Sequence, residues 1–241
     1  MAEEKEQKKA PKVSLRDPNV DAKAELALMR SRHSVRQYLD KPIEPEKRKV
    51  LDGLAAELNR AHGLKIQIFY DEPECFGGKK ARGFSGVRNY VSLVGPTTDG
   101  AKRRIGHAGE ELVLKAQELG LNTCWVAITR GKSKAAVGSG EKEVCTLALG
   151  YGENQGSEHK SKSVSEVSNY KEGMPQWFLD GVQAALLAPT ANNVQKFYIE
   201  MRDDGNVSLQ AKFSIYGEVD LGIVMCHFER ATGLKVLEEK A

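Results

Sequence analysis

The sequence predicts an α+β fold assembled from two similar units, each running helix, strand, strand, helix. Three observations point there. Amphipathic helical periods alternate with short apolar or alternating runs of strand length. The same order occurs on either side of a polar stretch at 153–165. Paired landmarks also recur. Leu51-Asp52-Gly53 and Leu179-Asp180-Gly181 open the first helix of each unit, and Phe69-Tyr70 and Phe197-Tyr198 lie on the strand that follows. Glycines eleven residues apart mark the last helix, Gly109 to Gly120 and Gly222 to Gly233. Independent spacings that agree are the mark of an internal duplication.

Element by element, 21–29 reads as a helix with Ala24, Leu26, Ala27 and Leu28 on its apolar side. Pro45 starts a second helix to about residue 60, with Val50, Leu51, Leu54 and Leu58 at helical spacing and Gly63 as its stop. The alternating run 65–70 is a strand, 71–85 a loop, and 90–94 a second strand. A strongly amphipathic helix covers 104–119, with Leu112, Val113, Ala116 and Leu119 facing inward and Gly120 ending it. The run 123–129 has strand length, 132–136 starts a short helix, and 144–149 is a buried strand. In the second unit 175–187 is a helix halted at Ala188-Pro189. The strand 197–201 returns through the turn Asp203-Asp204-Gly205-Asn206 into 207–213, and 219–231 is the last helix. The expected divisions are a disordered tail at 1–20, a first half at 21–165 and a second at 166–241.

A chain of 241 residues can bury a sizeable core. Hydrophobic residues make up 40% and charged residues 29%, the balance of a soluble globular protein. The formal net charge of +3 is too small, and its aromatics too little interleaved with basic residues, to argue for nucleic acid. Four cysteines stand far apart with no C-x-x-C pair, which suits a reducing, cytoplasmic setting and does not suggest zinc. No apolar run reaches the roughly 18 residues of a membrane span, and the first dozen residues carry charge without the apolar core of a secretory signal. The five histidines show no metal-ligand spacing.

Chemistry concentrates between Arg30 and Ile43. Arg30, Arg32 and Arg36 surround His33 with Ser31 and Ser34, just where the first helix stops. Guanidinium forks and hydroxyls so close together suit one compact anion, above all a phosphate. A solvated, charged helix end is the plainer reading of the same residues.

Arg32-His33-Ser34-x-Arg36, followed by Tyr38 and the turn Asp40-Lys41-Pro42-Ile43, resembles the N-terminal signature of the FMN-dependent nitroreductase family. The resemblance implies a mixed, mostly antiparallel sheet flanked by helices. It also implies that Arg32, His33 and Ser34 hold the ribityl phosphate of FMN, while Arg36 faces the N1/O2 edge of the ring. Family members resemble obligate dimers with the flavin in the subunit interface, completed by a Pro-Ser/Thr-x-x-Asn-x-Gln segment of the other subunit. That segment stands here in the second half, as Pro189-Thr190-Ala191-Asn192-Asn193-x-Gln195, while the second half lacks the arginine signature. The halves are therefore complementary. One chain is expected to act as a pseudo-dimer, monomeric or weakly self-associated, with one FMN. Lys196 and Phe197 take the places where the family has Pro and an aromatic, which leaves the lining of the pocket open.

Two further stretches fit the resemblance. Leu119 to Trp125 is similar to the family's helix-to-strand element, and the backbone at Trp125, Val126, Ala127 and Ile128 would approach flavin N5 and O4. The side chains of Cys124 and Trp125 read as core. Leu149 to Gly152 and its polar loop resemble the late strand and phosphate tail, so Lys160 and Lys162 would contact the phosphate. NAD(P)H would be the co-substrate and a nitroaromatic, a quinone or a similar small molecule the electron acceptor, in a ping-pong cycle through flavin N5 that needs no catalytic side chain and no metal. The resemblance also admits a flavin-dependent dehalogenase or flavin-modifying enzyme, whose lid would be the Lys79-Lys80-x-Arg82 loop, or a non-catalytic flavin-binding protein.

Overall fold

The computed structural model describes residues 17 and 19–236. The expected disordered tail lies almost wholly outside the described residues. Helix α1 (Ala22–Ser31) is capped by Asp21, whose carboxylate accepts from the Lys23 and Ala24 N–H groups. Helix α2 (Pro45–His62) has proline at its first position and Gly63 at φ 61° as its stop. Strands β1 (Lys65–Phe69), β2 (Asn89–Pro96), β3 (Asn122–Val126) and β4 (Glu141–Gly150) form one antiparallel sheet in the order β1-β2-β4-β3. Helix α3 (Ala101–Glu118) lies between β2 and β3 in sequence. After the short α4 (Val164–Val167) come α5 (Gln176–Leu187), the hairpin β5 (Phe197–Met201) and β6 (Val207–Ala211), and α6 (Gly217–Thr232).

The expected α+β class and mostly antiparallel pairing are what the backbone adopts. One expected element is missing: 132–136 is extended. The Lys134 N–H donates to the Tyr90 hydroxyl and the Ala136 N–H to the Gln67 side-chain carbonyl. Side chains of β1 and β2 thus take the N–H groups a helix would have needed. The strand expected at 123–129 ends at Val126, and the one expected at 207–213 ends at Ala211.

The centre of the molecule is the crossing of α3 and α6. A Cβ on Gly106 would overlap the Val219 carbonyl, and one on Gly222 would overlap the Arg103 carbonyl. Val219 lies three residues before Gly222, and Arg103 three before Gly106. Each helix therefore offers the other the same notch, the reciprocal pattern of an isologous contact. The equal glycine spacings of the sequence join positions with different work. Gly120 and Gly233 are left-handed helix stops, at φ 72° and 70°. Gly109, however, makes room for the Trp125 ring, whereas Gly222 makes room for α3. Leu51-Asp52-Gly53 lies within α2, and Gly53 faces open space where Gly181 abuts Phe228.

Helix α1 packs on α3, α5 and α6 and is tied to α6 by Arg230, whose Nε and Nη2 donate to Glu25 at 2.7 and 3.1 Å. The shared core runs through Leu51, Leu93, Ile105, Leu112, Phe178, Val182, Val224 and Phe228.

The α3–α6 notch yields a prediction. Gly106→Ala and Gly222→Ala should each destabilise by about 2–3 kcal/mol through overpacking. The double variant should cost less than the sum, since the first substitution already separates the helices. Urea unfolding of the three variants measures this, and full additivity would contradict a single shared notch.

Candidate functional site

Beyond Ser31 the chain leaves α1 and runs along the free edge of β3. Ser34 forms a parallel bridge with Thr123, and the Val35 N–H donates to the Thr123 carbonyl at 3.0 Å. Tyr38 bridges Gly152, and its hydroxyl donates to the Val35 carbonyl at 2.8 Å. This added edge strand turns Arg32, His33, Ser34 and Arg36 toward a cavity of about 610 Å³. The same cavity is lined by Trp125 to Thr129 at the end of β3 and by Pro189 to Asn193 from the second half. Its size is that of a cofactor or small-ligand pocket.

The floor of the basic wall is a buried polar knot. Arg32 is 3% exposed, and its Nε lies 4.0 Å from Glu110 Oε1. Burial lowers the Arg32 pKa, and the Glu110 charge opposes that. Glu110, on α3, is fully buried. Its Oε2 accepts from the Trp125 indole N–H at 2.8 Å, and its Oε1 meets His227 Nε2 at 2.9 Å. His227 Nδ1 faces the Ala184 carbonyl at 3.0 Å, which can only accept, so that nitrogen carries a hydrogen. His33 Nδ1 likewise donates to the Gln155 carbonyl at 3.0 Å, which leaves Nε2 for the cavity.

The opposite wall is strained. Asn192, Asn193 and Gln195 hold left-handed backbone at φ 51°, 53° and 45°. Asparagine tolerates this and glutamine does so at greater cost. The loop is pinned around Gln195, which is 1% exposed. Its Nε2 donates to the Leu186 carbonyl at 2.9 Å, its Oε1 accepts from the Lys162 N–H at 2.8 Å, and its N–H donates to Thr190 Oγ1 at 3.1 Å. Asn193 donates to the Lys160 carbonyl at 2.7 Å.

Of the residues singled out in the sequence, Arg32, His33, Ser34, Arg36, Trp125 to Ile128 and Pro189 to Asn193 all line this one cavity. Lys160, Lys162 and Gln195 are not among its lining residues. The Lys162 ammonium is taken by the Gln195 carbonyl at 2.9 Å, and Gln195 braces the loop from behind. Ser157, Glu158 and His159 reach the cavity instead. The Lys79 to Arg82 loop packs away from the cavity lining. None of 71–88 lines the cavity, and Phe76, Ala81 and Val87 anchor that loop to a separate cluster with Val35 and Tyr38.

Sequence reasoning missed the face that α6 contributes: Tyr216, Val219, Asp220 and Ile223. Their spacing is helical, and an acid inside an apolar stripe was the available signal. Burial raises the Asp220 pKa to about 6. Cys145 also lines the cavity, but burial pushes its thiol up to about 12, which makes it a protonated, unreactive wall. Among the described residues, three buried side-chain atoms that belong to this lining have no hydrogen-bond partner: Arg32 Nε, His33 Nε2 and Asp220 Oδ2. Such atoms call for a polar ligand.

An edge-strand arginine cluster facing a strained loop across paired helices, on an antiparallel sheet, is the architecture of a nitroreductase-type fold. The family model described as "Putative TM nitroreductase" matches residues 25–232, and the chain belongs to that family. A solved structure from Thermotoga maritima, described as a putative nitroreductase, superposes with a TM-score of 0.65 at 20% identity over 86% of this chain and 82% of its own. An FMN-dependent nitroreductase from Clostridium difficile matches at 19% identity over 62% of this chain and 97% of its own, with a TM-score of 0.45. A putative NADH oxidase from Clostridium acetobutylicum does so at 18% over 60% and 99%, with a TM-score of 0.47. No curated protein matches the chain. No helix among the described residues is long and apolar enough to cross a membrane.

The buried knot is open to test. Glu110→Ala strands the Arg32 charge and should cost roughly 3–5 kcal/mol. Urea unfolding reads this, and a loss below about 1 kcal/mol would mean that Glu110 does not hold the arginine.

Proposed function

We propose that the chain is an FMN-dependent NAD(P)H oxidoreductase of the nitroreductase type. The observation that carries this is the meeting of Arg32–Arg36 and Pro189–Asn193 in one cavity. The buried Arg32 guanidinium, with His33 and Ser34 beside it in the lining, fits a phosphate, since a guanidinium is a charged donor to an anion. The cavity volume fits a flavin mononucleotide.

In this reading Arg32, His33 and Ser34 bind the ribityl phosphate. Arg36 faces the pyrimidine edge, where a fixed cation favours negative charge. The backbone of Val126 to Ile128 lies along the ring, and Trp125, held by Glu110, fixes where that backbone stands. Asn192 and Asn193 complete the site from the second half. FMN, when bound, would supply the two-electron chemistry linking NAD(P)H to a nitroaromatic, a quinone or a similar acceptor. The chain's own part is to bind, orient and shield. Ile128, 75% exposed at the rim, offers apolar surface where a flat co-substrate would enter.

The pseudo-dimer belongs to the same proposal, with halves 21–165 and 166–241 completing one site. The reciprocal notch of Gly106 and Gly222 supports it. So does the one-sided distribution of the two signatures.

Purified protein should show flavin absorbance and one FMN per chain. Two FMN per chain would contradict the fused halves, and none after incubation with excess FMN would contradict the function. Arg32→Ala should weaken FMN binding by about 1.5–3 kcal/mol, the worth of a charge-assisted contact. The loaded protein should oxidise NADH or NADPH with nitrofurazone or menadione as acceptor.

A further inference from the structure

We infer that Asp220 reads a ring N–H of the bound ligand, the imide of the flavin pyrimidine, and thereby makes binding depend on the proton. The inference rests on the flavin reading above. Asp220 is 7% exposed and lies on the α6 face of the cavity. Its Oδ1 accepts the Ala191 N–H at 3.0 Å, which fixes the carboxyl against the strained Pro189–Asn193 segment. Its Oδ2 is buried with no partner among the described residues, on a residue that lines the cavity.

A carboxyl so placed is half satisfied. One oxygen is spent on the loop, and the other needs a donor that the chain does not provide. The ionisable groups sharing the cavity come from every other wall: Arg32, His33 and Arg36 from the edge strand, Cys145 from β4, Glu158 and His159 from the loop, and Tyr216 beside α6. None is hydrogen-bonded to Oδ2. In the flavin reading Arg32, His33 and Ser34 take the phosphate and Arg36 the N1/O2 edge, which leaves the neighbouring imide N–H for Asp220. There an ionised carboxylate excludes carbonyl oxygens and selects an N–H. A site built to hydrogen-bond such a group discriminates strongly against a ligand that lacks it.

The sign of the pH effect follows. The folded, ligand-free acid titrates at about 6 because burial disfavours its charged form. An N–H donor favours the charged form and lowers that value in the complex. Affinity should therefore rise with pH up to about 6 and then level off, by up to about tenfold per pH unit below that point. The same burial makes Asp220 a liability in the ligand-free fold. Its penalty is absent in strong acid, grows from about pH 4 and is complete above about pH 6.

The test is FMN affinity by fluorescence quenching, between about pH 5 and pH 8, for wild type, Asp220→Asn and Asp220→Ala, with flavin methylated at the imide nitrogen as second probe. In wild type, affinity should rise with pH and the methylated flavin should bind at least about tenfold more weakly. Both variants should bind FMN at least about tenfold more weakly near neutral pH, and their profiles should lose the part lost by wild type below pH 6. Asp220→Ala should scarcely discriminate the two flavins. Ligand-free Asp220→Asn should have a higher Tm than wild type at neutral pH. Equal FMN affinity and equal pH profiles in wild type and variants would overturn the inference while leaving the flavin reading intact. So would a wild-type affinity that falls as pH rises, the mark of a carboxylic acid donating. A wild type that takes up no FMN at any pH would instead remove the flavin reading, and this inference with it.

Discussion

Glu110 is a fully buried acid, and much of the molecule is arranged to hold it. Three groups converge on it, or stand close: the Trp125 indole, the His227 ring and the Arg32 guanidinium. They come from β3, α6 and the end of α1, while Glu110 itself rides on α3. Stripping a carboxylate of water costs several kcal/mol, which only good geometry offsets. Elements from both ends of the chain must therefore arrive in one arrangement or leave a buried charge exposed to nothing. At 4.0 Å from Glu110, Arg32 is only partly compensated. The knot thus anchors the guanidinium from behind and leaves its charge available at the front, which is what an anion site requires.

The glycine notch makes this knot possible. Gly106 and Gly222 bring the backbones of α3 and α6 close enough for Glu110 and His227 to meet at 2.9 Å. Gly109 removes the Cβ that would strike the Trp125 ring, so the indole can lie over α3 and reach the same carboxylate. Three glycines on two helices therefore bear on one buried charge, and through it on the cavity floor.

Most of the fold was legible because period and punctuation agree. Pro45 and Gly63 bound α2 as expected, and the strand 197–201 is found with both ends as read. What failed was decided at a distance. The backbone at 132–136 follows the Tyr90 and Gln67 side chains, which local propensity cannot register. The site shows the same division. Arg32–Arg36 and Pro189–Asn193 stand out because clustered arginines and paired asparagines are unusual locally. The Lys162 ammonium donates to the Gln195 carbonyl, a partner that sequence spacing does not register. Glu110 and Asp220 stayed hidden inside helices read for their apolar faces.

These departures from local rule gather in one place. The cavity unites three unpartnered buried polar atoms with a loop holding two asparagines and a glutamine in left-handed backbone. Each such feature costs on the order of 1–3 kcal/mol, so together they rival the whole stability of an ordinary domain. A fold keeps so concentrated a liability only where rigid surroundings compel it, and those surroundings are on view: Gln195 braces the loop, Ala191 fixes Asp220, Gln155 orients His33 and Glu110 stands behind Arg32. The groups are immobilised around one cavity. In the flavin reading one molecule relieves them, anionic where it meets the arginine wall and hydrogen-bond donating where it meets α6. A flavin mononucleotide has both ends.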